Sequence, residues 1–540
     1  MKLFRKAAGT AVAVFLATGI TLFPAARAYA AEPINGGGST WSAVAIAQWQ
    51  ADIARQGVTV NYQATGSTAG RQGFYNSQYD FAVSEIPFQP KYCSNPADPG
   101  TCTDEISLVH RPFLYMPIVA GGTSLLYNVQ INGQQFTHLQ LSPKTLTEIF
   151  TGVITNWNAP DIAADNPGIN FPSLTITPVV RSDGSGTSYQ FTAYMANQQS
   201  NLWNAFCVSQ GIAVAPGTVC PPTSQYPAPT SFASQSGSDG VANFVAAPYN
   251  NGAIGYAESA YGIERGVPLA SLLNAAGQYV QPTARNVAVA LTKAIINTDH
   301  TQNLLGVYVN PDPRTYPMSS YSYMIVPIGP VTYPMDTSKG TTLGQFILFF
   351  LCQGQQEAAP LGYSPLPPNL VQLGFDVEQQ VPGAPAPPPI SQCNNPTITG
   401  NFLQQVLAPP PPTSTPPNRG PGPNNPNPTG PGVTVPTGPG VTSPNRTGPN
   451  GRSQIGFGGP TTTTTPGSNP AVNPFAPTGP NSQGGRGSSP LVGVQLAVSP
   501  QKFGNGWRPL SSGGAFLLAL AVIAIALGPP VVSVYRRRKA

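Results

Sequence analysis

Hydrophobic positions in the first half of the chain switch between the spacing of a strand and the spacing of a helix. Val58, Val60 and Tyr62 alternate with polar residues, as in a half-buried strand. The preceding segment has apolar residues at i, i+3 and i+7, which predicts a helix: Ile46, Trp49 and Ile53. The same patterns predict further elements: strands at 81–83 and 174–180, a helix at 66–76, and a helix containing Phe191, Tyr194 and Met195. Because strands and helices alternate, we predict an α/β protein with an open, largely parallel sheet in each domain.

Composition divides the 540-residue chain into a folded body and a polar tail. The body, from about residue 31 to 405, is too long for one hydrophobic core, so two domains are expected. Residues 406–510 are rich in Pro, Gly, Asn, Thr and Ser, and we predict that they form a disordered linker. A linker of this size spans about 55 Å as a flexible coil and about 300 Å as polyproline II, which is enough to hold the body away from a membrane.

Both ends of the chain carry targeting signals. Residues 1–30 combine basic residues, an apolar stretch and a small-residue site ending at Ala30, which predicts a signal peptide. Residues 511–535 predict a transmembrane helix, and the basic residues 536–540 then form a cytoplasmic tail. A sorting tail removed by cleavage has the same apolar and basic pattern and stays an alternative. The expected location is outside the cytoplasm, with the body anchored to the cell membrane.

Charge and cysteine content exclude some function classes. Charged residues make up only 8% of the chain and the net charge is +5, so no broad basic face for nucleic acid is expected. The three histidines lie far apart in the sequence, and neither a metal site nor a cofactor is predicted. Six cysteines in an exported chain favour disulfides. Spacing favours three pairs among the fifteen possible connectivities: Cys93 with Cys102, Cys207 with Cys220, and Cys352 with Cys393.

The segment from Arg181 to Ser188 combines one cation with a row of neutral hydrogen-bond donors. It lies between a predicted strand and a predicted helix, where the first backbone N–H groups of the helix have no partners within the helix. The helix dipole adds partial positive charge there, so a tetrahedral oxyanion can bind. Gly184 and Gly186 allow the backbone to approach that anion closely. An ordinary Ser/Thr helix cap is the competing interpretation of these eight residues.

Other segments supply further groups for the same site. Residues 36–40 and 65–70 each combine glycines with hydroxyls before a predicted helix, although helix capping explains such residues as well. Glu85 follows a predicted strand. A carboxylate accepts the proton of a phosphate ion and repels sulfate, which has no proton to donate near neutral pH. Arg181 is expected to contact the oxyanion through its guanidinium fork, held in orientation by Asp183.

Together these segments resemble the PstS-type phosphate-binding proteins of ABC importers. The resemblance rests on residues 36–41, 60–70, 80–85, 181–188, 236–241 and 252–256. The start of the body, at residues 34–38, resembles the DING branch in particular, as do residues 349–353 and 365–367. The resemblance implies a type II periplasmic-binding-protein fold with two α/β lobes closing over phosphate. The first lobe would contain residues 31–115 and 270–405, and the second lobe residues 116–269.

The resemblance also implies a set of ligand-binding residues. In the first lobe, Thr40 would donate its hydroxyl, Trp41 its backbone N–H and Ser67 its hydroxyl. The second lobe would contribute four residues: Arg181, Ser185, Gly186 and Thr187. Asp183 would be the partner of Arg181. Glu85 stands where the family has Asp, and the added methylene moves the carboxylate by about 1.5 Å. Affinity and selectivity therefore stay open.

These features predict a monomeric phosphate receptor, tethered to the cell surface, which delivers phosphate to an ABC-transporter permease. The alternative is a structural or adhesive surface protein that keeps the binding fold without transport, because a freely diffusing receptor needs no anchor. An enzyme with Ser185 or Ser67 as nucleophile is not expected. Neither serine lies in a GxSxG motif, and no histidine is near either one in sequence.

Overall fold

The computed structural model describes residues 32–409. The predicted signal peptide, the predicted transmembrane helix, the basic tail and all but the start of the predicted linker lie outside the described residues. Among residues 32–409, no helix has both the length and the apolar character needed to cross a membrane.

Within this range the strands are β1 (Ile34–Gly38), β2 (Val60–Gln63), β3 (Phe81–Ser84), β4 (Tyr92–Cys93), β5 (Cys102–Thr103), β6 (Phe113–Asn128), β7 (Gln130–Ile131), β8 (Gln134–Gln135), β9 (Gln140–Leu141), β10 (Thr177–Arg181), β11 (Ala233–Gln235), β12 (Ala253–Glu258), β13 (Ser271–Leu273), β14 (Tyr279–Val280), β15 (Ile295–Ile296), β16 (Gln302–Asn303) and β17 (Ser319–Pro327). The α-helices are α1 (Ala43–Ala54), α2 (Ser67–Tyr75), α3 (Pro143–Phe150), α4 (Pro160–Asp165), α5 (Gly186–Gln198), α6 (Ser200–Ser209), α7 (Gly237–Ala246), α8 (Ser259–Arg265), α9 (Ala284–Leu291), α10 (Leu305–Tyr308), α11 (Thr337–Leu351), α12 (Pro368–Glu378) and α13 (Phe402–Leu407). The predicted strands and helices around residues 46–83 and 174–195 are confirmed.

Within the described range, the main sheet has eight strands in the order β11-β10-β12-β6-β17-β3-β1-β2. Two parallel groups of three strands form its ends, β2-β1-β3 and β11-β10-β12. The antiparallel strands β6 and β17 lie between these groups. We call the part built on β1, β2 and β3 the first lobe and the part built on β10, β11 and β12 the second lobe.

The long strand β6 connects the two lobes. Residues 113–122 of β6 pair with β17, whereas Thr123–Asn128 pair with β12 of the second lobe. Most buried apolar side chains of both lobes belong to one continuous core, which includes Trp49 of α1 and Trp203 of α6, and a smaller separate cluster contains Val179 and Val241 of the second lobe. The predicted two-lobed α/β architecture is confirmed, with a largely parallel group of strands in each lobe.

Three disulfides join the cysteines in the predicted pairs, Cys93 with Cys102, Cys207 with Cys220, and Cys352 with Cys393. Their partners are 9, 13 and 41 residues apart in sequence. Each disulfide therefore joins nearby parts of the chain, and the packing of the two lobes against each other depends on non-covalent contacts.

Close backbone packing of α2 against β1 predicts a large effect at Gly70. A Cβ atom at this position would lie 2.4 Å from Gly38 Cα and 2.8 Å from the Gly37 carbonyl oxygen, and neither atom belongs to a side chain that can move away. We expect Gly70→Ala to lower the free energy of unfolding by about 1–3 kcal/mol, measured by urea unfolding.

Gly240→Ala in α7 is the matched control. Its nearest neighbour would be Gln235 Cβ at 3.5 Å, an ordinary contact. This substitution should raise the free energy of unfolding by up to about 1 kcal/mol, because alanine favours a helix interior. If both variants were equally stable, the contact between α2 and β1 would be looser than described.

Candidate functional site

The candidate site lies where the parallel strands of both lobes end. β1 leads into Ser39, β3 into Glu85, and β10 ends at Arg181. Helices α1, α2, α5 and α7 begin close to these strand ends, so their N-termini face the same region. The two lobes touch here, since the Thr68 N–H donates to the Gly184 carbonyl oxygen at 3.1 Å. The candidate residues predicted in separate lobes therefore lie together in one inter-lobe region.

Glu85 is buried, with 1% of its surface exposed, and its partners are hydroxyl groups. Ser67 Oγ donates to Oε2 at 2.6 Å, and Ser322 Oγ donates to Oε1 at 3.0 Å. Ser39 Oγ also donates to Oε1. Hydrogen bonds of this kind offset the cost of burying a carboxylate, and no cation within residues 32–409 forms an ion pair with it. Glu85 is thus a fixed hydrogen-bond acceptor at the inter-lobe surface.

Arg181 has 2% of its surface exposed and forms a two-pronged pair with Asp183. Arg181 Nε donates to Asp183 Oδ1 at 2.7 Å, and Nη2 donates to Asp183 Oδ2. The Gly237 N–H also donates to Asp183 Oδ1, at 2.9 Å, so the carboxylate cannot rotate freely. This arrangement leaves Nη1 facing the hydroxyls of Thr187 and Ser238, at 3.5 and 3.3 Å.

The Arg181–Asp183 pair keeps both groups ionised. Burial lowers the pKa of Arg181, but the charge and hydrogen bonds of Asp183 outweigh it, and the net pKa is raised. Burial likewise raises the pKa of Asp183, and the Arg181 guanidinium outweighs it, so the pKa of Asp183 lies below its ordinary value. The site therefore has a permanent cation whose orientation is fixed.

Thr40 of the first lobe meets Ser238 of the second lobe. The two hydroxyl oxygens lie 3.0 Å apart, and the Ser238 N–H donates to Thr40 Oγ1 at 3.1 Å. Ser238 lies in the first turn of α7, so this contact brings the N-terminus of α7 to the site. Trp41, next to Thr40, has a fully buried side chain. Its predicted contribution is its backbone N–H.

The segment around α5 serves as a cap and also faces the site. Ser185 Oγ accepts the Ser188 N–H at 3.1 Å, as an N-cap residue does. Its hydroxyl hydrogen stays available for donation. At Gly186, a Cβ atom would lie 2.4 Å from Glu85 Oε2 and 2.8 Å from Ser67 Oγ. Glycine is therefore required where α5 approaches the carboxylate of the other lobe.

Three residues in this region were not among the predicted ligand residues. Ser39 and Ser238 lie in sequence segments that were recognised, one residue before Thr40 and in the first turn of α7 respectively. Ser322 lies in β17, where all nine residues are buried. A polar residue in a fully buried strand indicates a partner, but the sequence does not identify that partner as Glu85.

The family model and the sequence relatives place the chain among binding proteins. The family model described as "PBP superfamily domain" matches residues 24–353, a range that contains every strand of the main sheet. The phosphate-binding protein PstS of Xylella fastidiosa is 29% identical over 351 residues, covering 65% of this chain and 85% of that protein. Phosphate-binding protein PstS of Pasteurella multocida is 30% identical over 345 residues, covering 63% and 88%. Among solved structures, the periplasmic phosphate-binding protein PfluDING, bound with phosphate, has 19% identity and a TM-score of 0.46, covering 63% of this chain and 92% of that one.

The Arg181–Asp183 pair predicts a pH-dependent loss of stability in Asp183→Asn. Because the native pKa of Asp183 is lowered, its stabilising effect is complete above the unfolded value of about 3.9 and is lost as the pH falls through the native pKa. At pH 7 we expect the free energy of unfolding to fall by about 3 kcal/mol, because the substitution leaves a buried guanidinium without its counter-charge. The difference from the unsubstituted chain should shrink below about pH 4, as measured by urea unfolding.

Asp239→Asn is the control, because it removes an ion pair to Arg265 in which Asp239 has 55% of its side chain exposed. The expected loss is below about 1 kcal/mol. An equal loss in the two variants would contradict the special role of the buried pair.

Proposed function

We propose that this chain, which belongs to the PBP superfamily and within it to the PstS phosphate-binding proteins, binds inorganic phosphate as an extracytoplasmic receptor. The observation that carries the proposal is the presence of Arg181 and Glu85, both buried, in one inter-lobe region. A ligand of this region has to carry negative charge for the guanidinium and a proton for the carboxylate. Phosphate near neutral pH has both, whereas sulfate has only the charge.

The proposed ligand groups come from both lobes. Thr40 would donate its hydroxyl and Trp41 its backbone N–H, and Ser67 would turn its hydroxyl hydrogen from Glu85 Oε2 to the phosphate. In the second lobe, Arg181 would donate through its guanidinium. The N-terminus of α5 would donate through Ser185, Gly186 and Thr187. Most of these donors are neutral, which suits an anion held at helix N-termini. We add Ser238 to the predicted set, because its hydroxyl lies 3.3 Å from Arg181 Nη1 and 3.0 Å from Thr40 Oγ1.

Glu85 would accept the phosphate proton through one of its two oxygens. Ser39 and Ser322 already donate to Oε1, while Oε2 faces Ser67 and the Gly186 position. We therefore assign proton acceptance to Oε2. If the ligand oxygen at this point carried no proton, it would be repelled by the carboxylate oxygen. This repulsion acts on sulfate and not on protonated phosphate, so it favours phosphate.

We further propose that the receptor hands phosphate to an ABC-transporter permease. The linker of residues 406–510 and the helix of residues 511–535 would tether it to the cell surface. Its first lobe would comprise residues 31–115 and 270–405, and its second lobe residues 116–269. Three disulfides support a location outside the cytoplasm. A surface structural or adhesive role is the second candidate, and the predicted anchor favours it. Unchanged phosphate uptake under starvation in a strain lacking the chain would favour that second role.

Isothermal titration calorimetry of the full chain tests the binding proposal. We expect one phosphate per chain and no heat with sulfate. Arg181→Ala should abolish binding, because it removes the buried cation of the site. Arg55→Ala is the control, since Arg55 follows the C-terminal end of α1, has 76% of its side chain exposed, pairs with Asp52 and should leave phosphate affinity unchanged. Absence of phosphate heat with the unsubstituted chain would refute the proposed function.

Glu85→Gln tests how phosphate is distinguished from sulfate. A neutral amide removes the repulsion of an unprotonated oxyanion and can donate to it, so the variant should bind sulfate detectably while phosphate affinity falls. Glu264→Gln, in which a side chain with 45% exposure is changed, is the matched control and should still reject sulfate. A Glu85→Gln variant that rejects sulfate as strictly as the unsubstituted chain would rule out the repulsion argument.

A further inference from the structure

Two buried tyrosines donate hydrogen bonds to consecutive backbone carbonyls in the turn between β1 and α1. Tyr261 OH donates to the Thr40 carbonyl oxygen, and Tyr363 OH donates to the Trp41 carbonyl oxygen at 2.7 Å. Tyr261 has 5% of its surface exposed and Tyr363 none. Neither tyrosine is part of the proposed ligand set, and each is more than 200 residues away from its carbonyl partner.

The two hydrogen bonds act on different peptide groups. The Thr40 carbonyl and the Trp41 N–H belong to one planar peptide unit, so a donor on the oxygen polarises the unit and strengthens the N–H as a donor. The Trp41 carbonyl belongs to the next unit, whose N–H, on Ser42, is 3.3 Å from Ser39 Oγ. Of the two tyrosines, only Tyr261 therefore acts on the peptide that presents the Trp41 N–H, beside the Ala43 N–H, which donates to the same Thr40 oxygen at 3.3 Å.

Tyr261 is held firmly in this position. It lies in α8, directly after β12 of the second lobe, while Thr40 follows β1 of the first lobe. The Arg265 guanidinium lies over the Tyr261 ring, 5.4 Å from its centroid, and Arg265 Nη1 donates to the Tyr261 carbonyl oxygen at 3.2 Å. Burial raises the pKa of the Tyr261 hydroxyl, and the charge of Glu258 raises it further, so the hydroxyl keeps its proton.

We propose that Tyr261 is a positioning residue for phosphate binding. Its hydroxyl orients and polarises the Thr40–Trp41 peptide, so that the Trp41 N–H binds a phosphate oxygen more strongly. This inference rests on the proposed function, in which the Trp41 N–H is a phosphate donor. It also gives the second lobe a contact with a ligand-binding peptide of the first lobe.

Tyr261→Phe and Tyr363→Phe form a matched pair, because each removes one buried hydroxyl donor and keeps the ring. We expect Tyr261→Phe to weaken phosphate binding about fivefold in calorimetry of the full chain, as the loss of one modest hydrogen-bond effect would. Tyr363→Phe should stay within about twofold of the unsubstituted chain, because its partner peptide does not present the Trp41 N–H.

A spectroscopic measurement separates positioning from a structural role. The chain has five tryptophans, so selective ¹⁵N-tryptophan labelling gives few backbone amide signals, and Trp41→Phe identifies the signal of Trp41. Phosphate should move the Trp41 amide proton downfield in the unsubstituted chain. The movement should be smaller in Tyr261→Phe and unchanged in Tyr363→Phe.

The outcomes distinguish this inference from the proposed function. If the unsubstituted chain bound no phosphate, the proposed function would fail and this inference with it. If it bound phosphate and Tyr261→Phe matched it in affinity and in the Trp41 amide shift, only the inference would be overturned. Equal weakening in both tyrosine variants, with equal losses of thermal stability, would also overturn it, because the hydroxyls would then serve the fold alone.

Discussion

The inter-lobe region has to keep a buried cation and a buried carboxylate close together without letting them neutralise each other. Arg181 is paired with Asp183 in its own lobe, while Glu85 is satisfied by the hydroxyls of other residues. Arg181, Asp183 and Glu85 together carry a formal charge of −1, and the nearby Arg71 is paired with Glu105, so a fully deprotonated oxyanion is disfavoured. An anion that carries a proton escapes part of this repulsion. The separate pairing of the two charges is therefore the basis of the proposed selectivity.

The sheet makes this separation possible. Arg181 ends β10 in the second lobe and Glu85 follows β3 in the first, so each charged group is positioned by a different parallel group of strands. β6 and β17 lie between the groups, and Ser322 of β17 reaches Glu85 Oε1. Strand β6 pairs with β12 of the second lobe on one side and with β17 on the other, and β17 in turn pairs with β3 of the first lobe.

Local patterns were sufficient to predict much of the fold and of the candidate site. Hydrophobic spacing located α1, β2, α2, β3 and α5, and short sequence separations indicated the three disulfides. The resemblance to a known family supplied the positions of the proposed ligand residues. Ser322, Ser238 and Tyr261 were missed for a physical reason. Their partners Glu85 and Thr40 lie 198 to 237 residues away, and a buried serine or tyrosine has no local pattern that identifies a distant partner.

The glutamate at position 85 is the feature that sets this chain apart from the pattern it resembles, and its surroundings fit the longer side chain. The added methylene brings the carboxylate about 1.5 Å further forward than an aspartate would reach. Ser39 and Ser322 hold Oε1, which prevents the longer side chain from rotating, while Oε2 accepts the Ser67 hydroxyl and is the oxygen proposed to face a ligand. Gly186 leaves room for Oε2, because any Cβ atom there would collide with it. The site therefore accommodates glutamate through hydroxyls on one oxygen and the absence of a side chain opposite the other.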